Sequence, residues 1–268
     1  MASQRSSSNK AKIARRVIEV LEFFDEDHRQ ATVMDIVRRY DRPQSSTSEL
    51  LSSLVELGVL YKDARSRSYS PTARAALIGS TGQCGVVRDG SLIRLTDRLV
   101  AQTGLPVALF GMVGLNVQII SWRSGTRTSP AAVRGLAGGL QQPLCNSAVG
   151  LLLLSTVEGA RRDGMLRRLN AEADEANKFS IADAAHRIEA CRASGMAQGP
   201  LGFDTQAEVL TRLIRPAGSE HPLAIGLVHG SHDQVNPDSL AASLDEAIRS
   251  CLLGEAASAE VEVFATAA

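Results

Sequence analysis

The sequence predicts an α+β chain in two parts: an amino-terminal winged helix-turn-helix and a larger carboxy-terminal domain built on an antiparallel sheet. Three observations predict it. Residues 32–71 hold two short amphipathic helical patterns, separated by a turn and followed by a charged hairpin. Residues 106–122 hold two apolar runs around Val113-Gly114-Leu115, as a hairpin requires. Beyond them, strands and helices mix without the regular alternation and phosphate loop of a doubly wound nucleotide fold, and no cofactor is expected.

The amino-terminal elements follow in order. Residues 1–9 are a Ser-rich arm expected to be disordered. Residues 10–26 predict a helix with Ile13, Val17, Leu21 and Phe24 on one face. Val33, Ile36 and Val37 mark the next helix. Pro43 stops it, because proline biases the preceding residue away from the α region. Ser45, Ser46, Thr47 and Ser48 open a second helix whose apolar face is Leu50, Leu51, Leu54 and Val55. Gly58 ends it, and Leu60-Tyr61 and Tyr69 bracket a turn carrying Lys62, Arg65 and Arg67. In such an arrangement the second helix enters the major groove of double-stranded DNA. A short helix starts at Pro71-Thr72, and Gly79-Ser80-Thr81-Gly82 marks a boundary. The expected domains are residues 10–79 and 80–254, with a frayed tail over 255–268.

In the second part, Asp89 or Ser91 caps a helix running through Leu92, Leu95, Leu99 and Val100 to Gly104. The hairpin and a loop at 123–130 lead to an expected strand near Val133. Asn146 or Ser147 caps a helix that is apolar all round from Val149 to Leu154, and therefore buried. Helices follow at 158–170 and 180–194, the latter with a capping-box start in Ser180 and Asp183 and a stop at Gly195. Strands are expected at 208–214 and 222–229. The last helix opens with Asn236, Pro237 and an acidic first turn.

Composition sets limits on the function classes. With 268 residues, 44% of them hydrophobic, the chain is long enough for two domains and a sizeable core. Its first residues are polar and basic, and no apolar stretch approaches the ~20 residues of a membrane span. A cytoplasmic protein without membrane contact is expected. Cys84, Cys145, Cys191 and Cys251 lack metal-binding spacing and read as reduced, buried thiols. The 29 basic and 29 acidic residues hide an asymmetry: up to Gly79 there are 13 basic and 10 acidic residues, a net +3, leaving −3 for the remainder. The sign fits a nucleic-acid partner for the first part, although the magnitude is modest.

Local motifs sharpen this. Pro43-Gln44-Ser45-Ser46 precedes Leu50-Leu51; Leu57-Gly58-Val59-Leu60 leads to Tyr69; and Pro143-Leu144-Cys145-Asn146-Ser147-Ala148-Val149-Gly150 enters the apolar helix. In this order they resemble the IclR family of bacterial transcription regulators, from about Lys10 to Leu253. The resemblance implies a winged helix-turn-helix, a linker helix and a GAF-like domain that binds a small molecule. It implies DNA contacts from Arg42, Gln44, Ser45, Ser46, Thr47, Ser48, Arg65 and Arg67. It implies an effector site near Trp122, Leu136, Cys145, Ala148, Val149, Asp204, Leu210, Gly226 and Val228. A dimer or dimer of dimers on a near-palindromic operator, acting as a repressor, would complete the picture.

The chain departs from the family pattern at five positions. Asp41 stands where the family's turn usually holds Gly, and Glu49 where it holds a basic residue. A groove-facing Glu49 repels phosphates, yet a carboxylate accepts a hydrogen bond from cytosine N4. Leu210 stands for the family's Cys, and Gly226 and Val228 for its two Ser, which implies a more apolar effector or anchorage through groups such as Thr211.

Blander and rival readings remain beside these. The Ser cluster suits an N-cap in any case. Arg38 and Arg39 complement a helix dipole, and Lys10, Lys12, Arg15 and Arg16 also suit a solvated helix face. His229, His232 and Asp233 invite a metal but lack an obvious third ligand. Cys145 before a helix invites a nucleophile, although no base is placed beside it. An enzyme using Cys145 or the His229/His232 pair is one alternative, and a sensor or partner-binding module that no longer binds DNA is another.

Overall fold

The computed structural model describes residues 9–25, 27–78, 85–129, 131–216, 221–252 and 261–262. Residues 1–8 of the arm, the boundary at 79–82, Cys84 and the tail other than residues 261–262 lie outside them. The chain divides into two compact units, Met1–Gly82 and Gln83–Ala268.

In the first unit, α1 (Asn9–Glu22), α2 (Val33–Tyr40) and α3 (Gln44–Glu56) are followed by β1 (Leu60–Lys62), β2 (Tyr69–Pro71) and the short α4 (Ala73–Leu77). Helix α2 starts at a capping box: Thr32 accepts from the Asp35 amide, and Asp35 accepts from the Thr32 amide. It stops at Asp41, which takes a left-handed conformation (φ 49°). Aspartate tolerates this conformation better than most side chains because its short polar group bonds locally. Strands β1 and β2 pair antiparallel, and Ala31 bridges to Tyr69 as a third edge of the wing. The small core is Val20, Ile36, Leu51, Leu54, Leu60 and Tyr69. Ile13 was expected in its wall but is 56% exposed, because the core reaches only the later turns of α1.

The second unit opens with α5 (Gly85–Arg88) and α6 (Ser91–Thr103), then the hairpin β3 (Val107–Val113) and β4 (Asn116–Arg123). Strand β5 (Gln141–Pro143) and a single 3-10 turn at Leu144–Asn146 lead into α7 (Ala148–Leu154). Helices α8 (Gly159–Glu172) and α9 (Ile181–Ser194) precede β6 (Met196–Pro200), β7 (Ala207–Pro216) and β8 (Leu223–Gly230). Helix α10 (Pro237–Leu252) and the two-residue β9 (Val261–Glu262) complete it. The sheet order is β5-β4-β3-β8-β7-β6, antiparallel throughout, with β9 pairing the end of β7.

Both faces of the sheet are covered. Ala108, Phe110, Val209 and Val228 pack on one face with Val149, Leu152 and Leu153 of α7. Val107, Leu109, Leu210 and Leu227 pack on the other with Leu95 and Leu99 of α6 and Leu244 and Ile248 of α10. Adjacent strand residues point to opposite faces, so β3, β7 and β8 each supply both cores. Helix α7 lies so close to the preceding turn that a Cβ on Gly150 would sit 1.9 Å from the Leu144 carbonyl oxygen. Ser147 caps α7 by accepting from the Gly150 amide.

Two expected features differ. Residues near Val133 form turns instead of a strand, and the strand beside β4 is β5, whose Gln-Gln-Pro sequence has no apolar alternation. Strand β6 was not anticipated; it contains Gly199 and Pro200 and gains its order from pairing with β7. Among the described residues no helix is long and apolar enough to cross a membrane.

Candidate nucleic-acid interface and ligand-binding face

Helix α3 presents a sharply divided surface. Thr47, Leu51 and Leu54 are its buried residues, at a spacing that places them on one face. Ser45, Glu49, Ser52 and Glu56 lie exposed on the opposite face, with Gln44 exposed at the helix start. No Lys or Arg occurs in the helix. Thr47 is therefore not a DNA-facing residue: it is 1% exposed, and its hydroxyl donates to the Pro43 carbonyl at 2.9 Å. Pro43, rather than a serine, occupies the N-cap position. Ser46 is half-buried, donates to the same carbonyl at 3.2 Å and accepts from Arg16 at 3.2 Å. Ser52 was missed by the sequence reading, although it stands seven residues after Ser45 on the same face.

Arg42 has another job. Its guanidinium donates to both carboxylate oxygens of Glu19 on α1, at 3.0 and 3.1 Å. The bidentate pair ties the turn to α1. Arg65 and Arg67, by contrast, are exposed at the wing tip. Asp63 holds this turn by accepting from the Arg65 amide at 2.8 Å, and its own amide donates to the Ser68 carbonyl at 2.9 Å. The hydrogen bond from the Arg65 amide holds the Asp63 carboxyl below the usual aspartate value. Arg67 adopts φ 56° at the turn. Lys62 lies 5.4 Å from the centre of the Tyr69 ring, a cation–π distance. Lys62, Arg65 and Arg67 thus lie on the wing, Arg16 of α1 touches α3 through Ser46, and α3 itself carries only acidic charges.

The effector positions implied by the resemblance divide among several places. Leu136, Val149 and Val228 belong to the packed core on the α7 face, and Gly226 is buried in the same face. A Cβ on Gly226 would come within 2.6 Å of Val209 Cγ2 and 3.2 Å of Phe110 Cε2, so this spot has no room for the hydroxymethyl of a serine without displacement. Leu210 is not with them. It packs on the opposite face with α6 and α10, because the strand alternation turns Val209 and Thr211 toward α7 instead. The Thr211 hydroxyl donates to the Ile225 carbonyl at 3.0 Å. Trp122 is half-buried at the edge of the α7-side core.

Cys145 and Ala148 border two different clefts. Cys145 lines one of about 200 Å³ with Asn116, Asn146 and Phe179. Ala148 lines one of about 250 Å³ with Arg187, Cys191 and Gln198. Burial pushes the Cys145 thiol up to about 11, against the opposing charge of Arg187. Such a thiol is almost wholly protonated at neutral pH, which argues against a nucleophile. His229 is 3% exposed with its Nδ1 3.1 Å from the Gly230 carbonyl, whereas His232 is exposed. The described residues contain no group of three His, Cys, Asp or Glu side chains able to hold a metal.

Asp204 is exposed on a strained loop. It and Phe203 are consecutive non-glycine residues at φ 56° and 53°. Such conformations cost roughly 1–2 kcal/mol each and need support. Gln142 of β5 supplies it, accepting from the Phe203 amide at 2.6 Å and donating to the Leu201 carbonyl at 2.8 Å. Nothing in the local sequence marked Gln142, because its partners lie about sixty residues away.

Comparison with known proteins shows what the first unit resembles. The IclR helix-turn-helix domain family matches residues 14–64. Those residues are similar to that helix-turn-helix domain. The match supports a DNA-binding transcription regulator. Solved structures extend the likeness in fold to both units. The IclR regulator of Alicyclobacillus acidocaldarius is 17% identical with a TM-score of 0.56, covering 91% of this chain and 98% of its own. The IclR protein of Thermotoga maritima is 16% identical with a TM-score of 0.57, covering 90% of this chain and 97% of its own. An IclR homologue from Microbacterium hydrocarbonoxydans, solved with 4-hydroxybenzoate, is 18% identical with a TM-score of 0.52, covering 89% and 99%. No curated protein matches the sequence.

Proposed function

We propose that the chain is a repressor whose DNA affinity is set by a small organic molecule bound in the second unit. The observation that carries the DNA half is the IclR-type helix-turn-helix with an exposed, positively charged wing tip. Support for the ligand half comes from the fold shared with the homologue solved with 4-hydroxybenzoate. The buried Gly226 and Val228 favour a ligand less polar than a dicarboxylate, because a buried carboxylate needs matching donors.

One winged unit contacts too few base pairs for operator selectivity, so the active species is a homodimer or a pair of dimers on a near-palindromic site. Ligand binding would shift the spacing of the two heads, by as much as the ligand's affinity differs between the two arrangements. The outer face of α3, from Gln44 and Ser45 through Ser48, Glu49 and Ser52, would lie in the major groove. Arg65 and Arg67 would lie on phosphates.

A gel-shift with the DNA upstream of the chain's own gene tests the reading, with light scattering on the complex for its stoichiometry. Retardation of that duplex, footprinting to a two-fold site, and release by an aromatic or aliphatic acid are the expected results. Binding no tighter than to random duplex would overturn it.

A further inference from the structure

The cleft of about 250 Å³ that Ala148 borders lies between α7, α9 and β6. Helical spacing explains its walls. Arg187, Ala190 and Cys191 stand three and four residues apart on one face of α9, and Ala148 and Leu151 stand three apart on α7. Ala184 and Ile188 turn into the core instead, and Glu189 pairs with Arg162 of α8 on another flank. Strand β6 closes the cleft with Ala197 and Gln198.

This cleft holds two open donors. Arg187 is exposed and, among the described residues, has no hydrogen bond or ion pair. The thiols of Cys145 and Cys191 feel its charge, but burial pushes both up, so neither supplies a thiolate at neutral pH. No carboxylate lines the cleft, and Asp183, one turn earlier on α9, makes no ion pair with Arg187.

The second donor is the Gln198 amide. The Gly195 carbonyl accepts from the Leu213 amide, and the Leu201 amide donates to the Ala207 carbonyl. The odd-numbered residues of β6 therefore bond to β7, and the even-numbered ones face its free edge. Along that edge, the Met196 amide donates to the Ser194 hydroxyl at 3.2 Å, and Pro200 has no N–H. Gln198 is left with an N–H that finds no acceptor among the described residues. A guanidinium and an open amide in one cleft form a donor set suited to a carboxylate. Ala148, Ala190 and Ala197 keep the walls low, and a volume just under the usual range for ligand pockets suits a single ring.

We propose that this cleft binds a planar organic acid of one ring. Arg187 and the Gln198 amide hold its carboxylate, and the ring lies against Leu151 and the three alanines. The assignment rests on the reading of the second unit as a ligand-binding domain and deepens it. It puts the ligand on the α9 flank of α7, whereas Gly226 and Val228 are buried on the sheet side.

Titration calorimetry on the full chain tests it with benzoate, cinnamate, benzamide and inorganic phosphate as probes. At least one of the two acids is expected to bind, with benzamide and phosphate at least about tenfold weaker, because benzamide lacks the charge and phosphate the ring. Arg187→Gln should weaken the acid about tenfold. Ala190→Phe, which fills the cleft, should abolish binding. Both positions are exposed on α9, so thermal unfolding of the free variants should match the parent's. If one variant fails to fold, the other decides. No heat with either acid, benzamide or phosphate as tight as the acid, or affinity unchanged in a folded variant overturns the proposal. Acid binding that both variants leave intact removes this cleft and keeps the ligand-binding reading. DNA binding is measured on the same samples: its loss in the parent overturns the regulatory reading, while acid binding abolished by the variants still supports the cleft.

Discussion

The salt dependence of DNA binding offers a direct measure of the interface, and Arg65→Ala is the perturbation to make. Helix α3 carries no cation, and Arg42 is paired with Glu19, so the exposed wing arginines are the phosphate contacts to test first. Each neutralised phosphate on duplex DNA contributes about 0.9 to the slope of log K against log salt. Losing one contact in each head of a dimer therefore lowers the slope by about 1.8. Over a fourfold rise in salt, the parent protein should lose about twelvefold more affinity than the variant. Arg65 is the cleaner position, because Arg67 sits at φ 56° and an alanine there would keep the strained backbone. Arg67→Asn, which tolerates that conformation, is the companion. Fluorescence anisotropy on a bound duplex, repeated with scrambled duplexes of the same length, reads both slope and sequence preference. The loss should be similar for all sequences. An unchanged slope in both variants would refute the wing as a phosphate-binding element.

Other expected outcomes rest on single contacts in the two units. Gly150→Ala drives a Cβ into the Leu144 carbonyl and should destabilise the second unit by about 3 kcal/mol or more, read by urea denaturation; a midpoint shift below about 1 kcal/mol would contradict this packing. The Asp35 carboxyl is held below 3.8, chiefly by hydrogen bonds from Thr32, so its contribution is fully present above its unfolded-state value and fades as pH falls through the lower folded value. Asp35→Asn should cost about 1 kcal/mol near neutrality and flatten that acid limb, and an acid limb identical to the parent's would remove the capping role. Glu49→Gln should relax any selection for cytosine in a randomised-duplex binding selection; an unaltered base preference would count against base reading by Glu49. Alkylation of Cys145 at pH 8 should run far slower than that of a free thiol, as its value near 11 requires, and rapid labelling by mass spectrometry would disprove the protonated-thiol account.

Much of the first unit was legible in order along the chain. The helical spacing of apolar residues, the stop before Pro43 and the paired wing strands are all local patterns, which a linear reading detects. Even the burial of Thr47 had a signal, since it stands four and seven residues before Leu51 and Leu54, but its membership of a Ser-rich run hid it. The pairing of Arg42 with Glu19 had none, being a contact across 23 residues. In the second unit, the central hairpin and the long helices carried strong periodicity. Strand β5 did not, because its polar residues owe their strand state to β4.

By itself the sequence determined the element order, the winged helix-turn-helix and the acidic character of its second helix, because these depend on spacing within ten or fifteen residues. The tertiary structure decided which side chains each surface offers. Register turned Leu210 away from α7 and set the Gln198 amide on the free edge of β6, in one cleft with Arg187. A strand pairing one residue out of step would reverse every such assignment, and that register is fixed only when both faces of the sheet are packed.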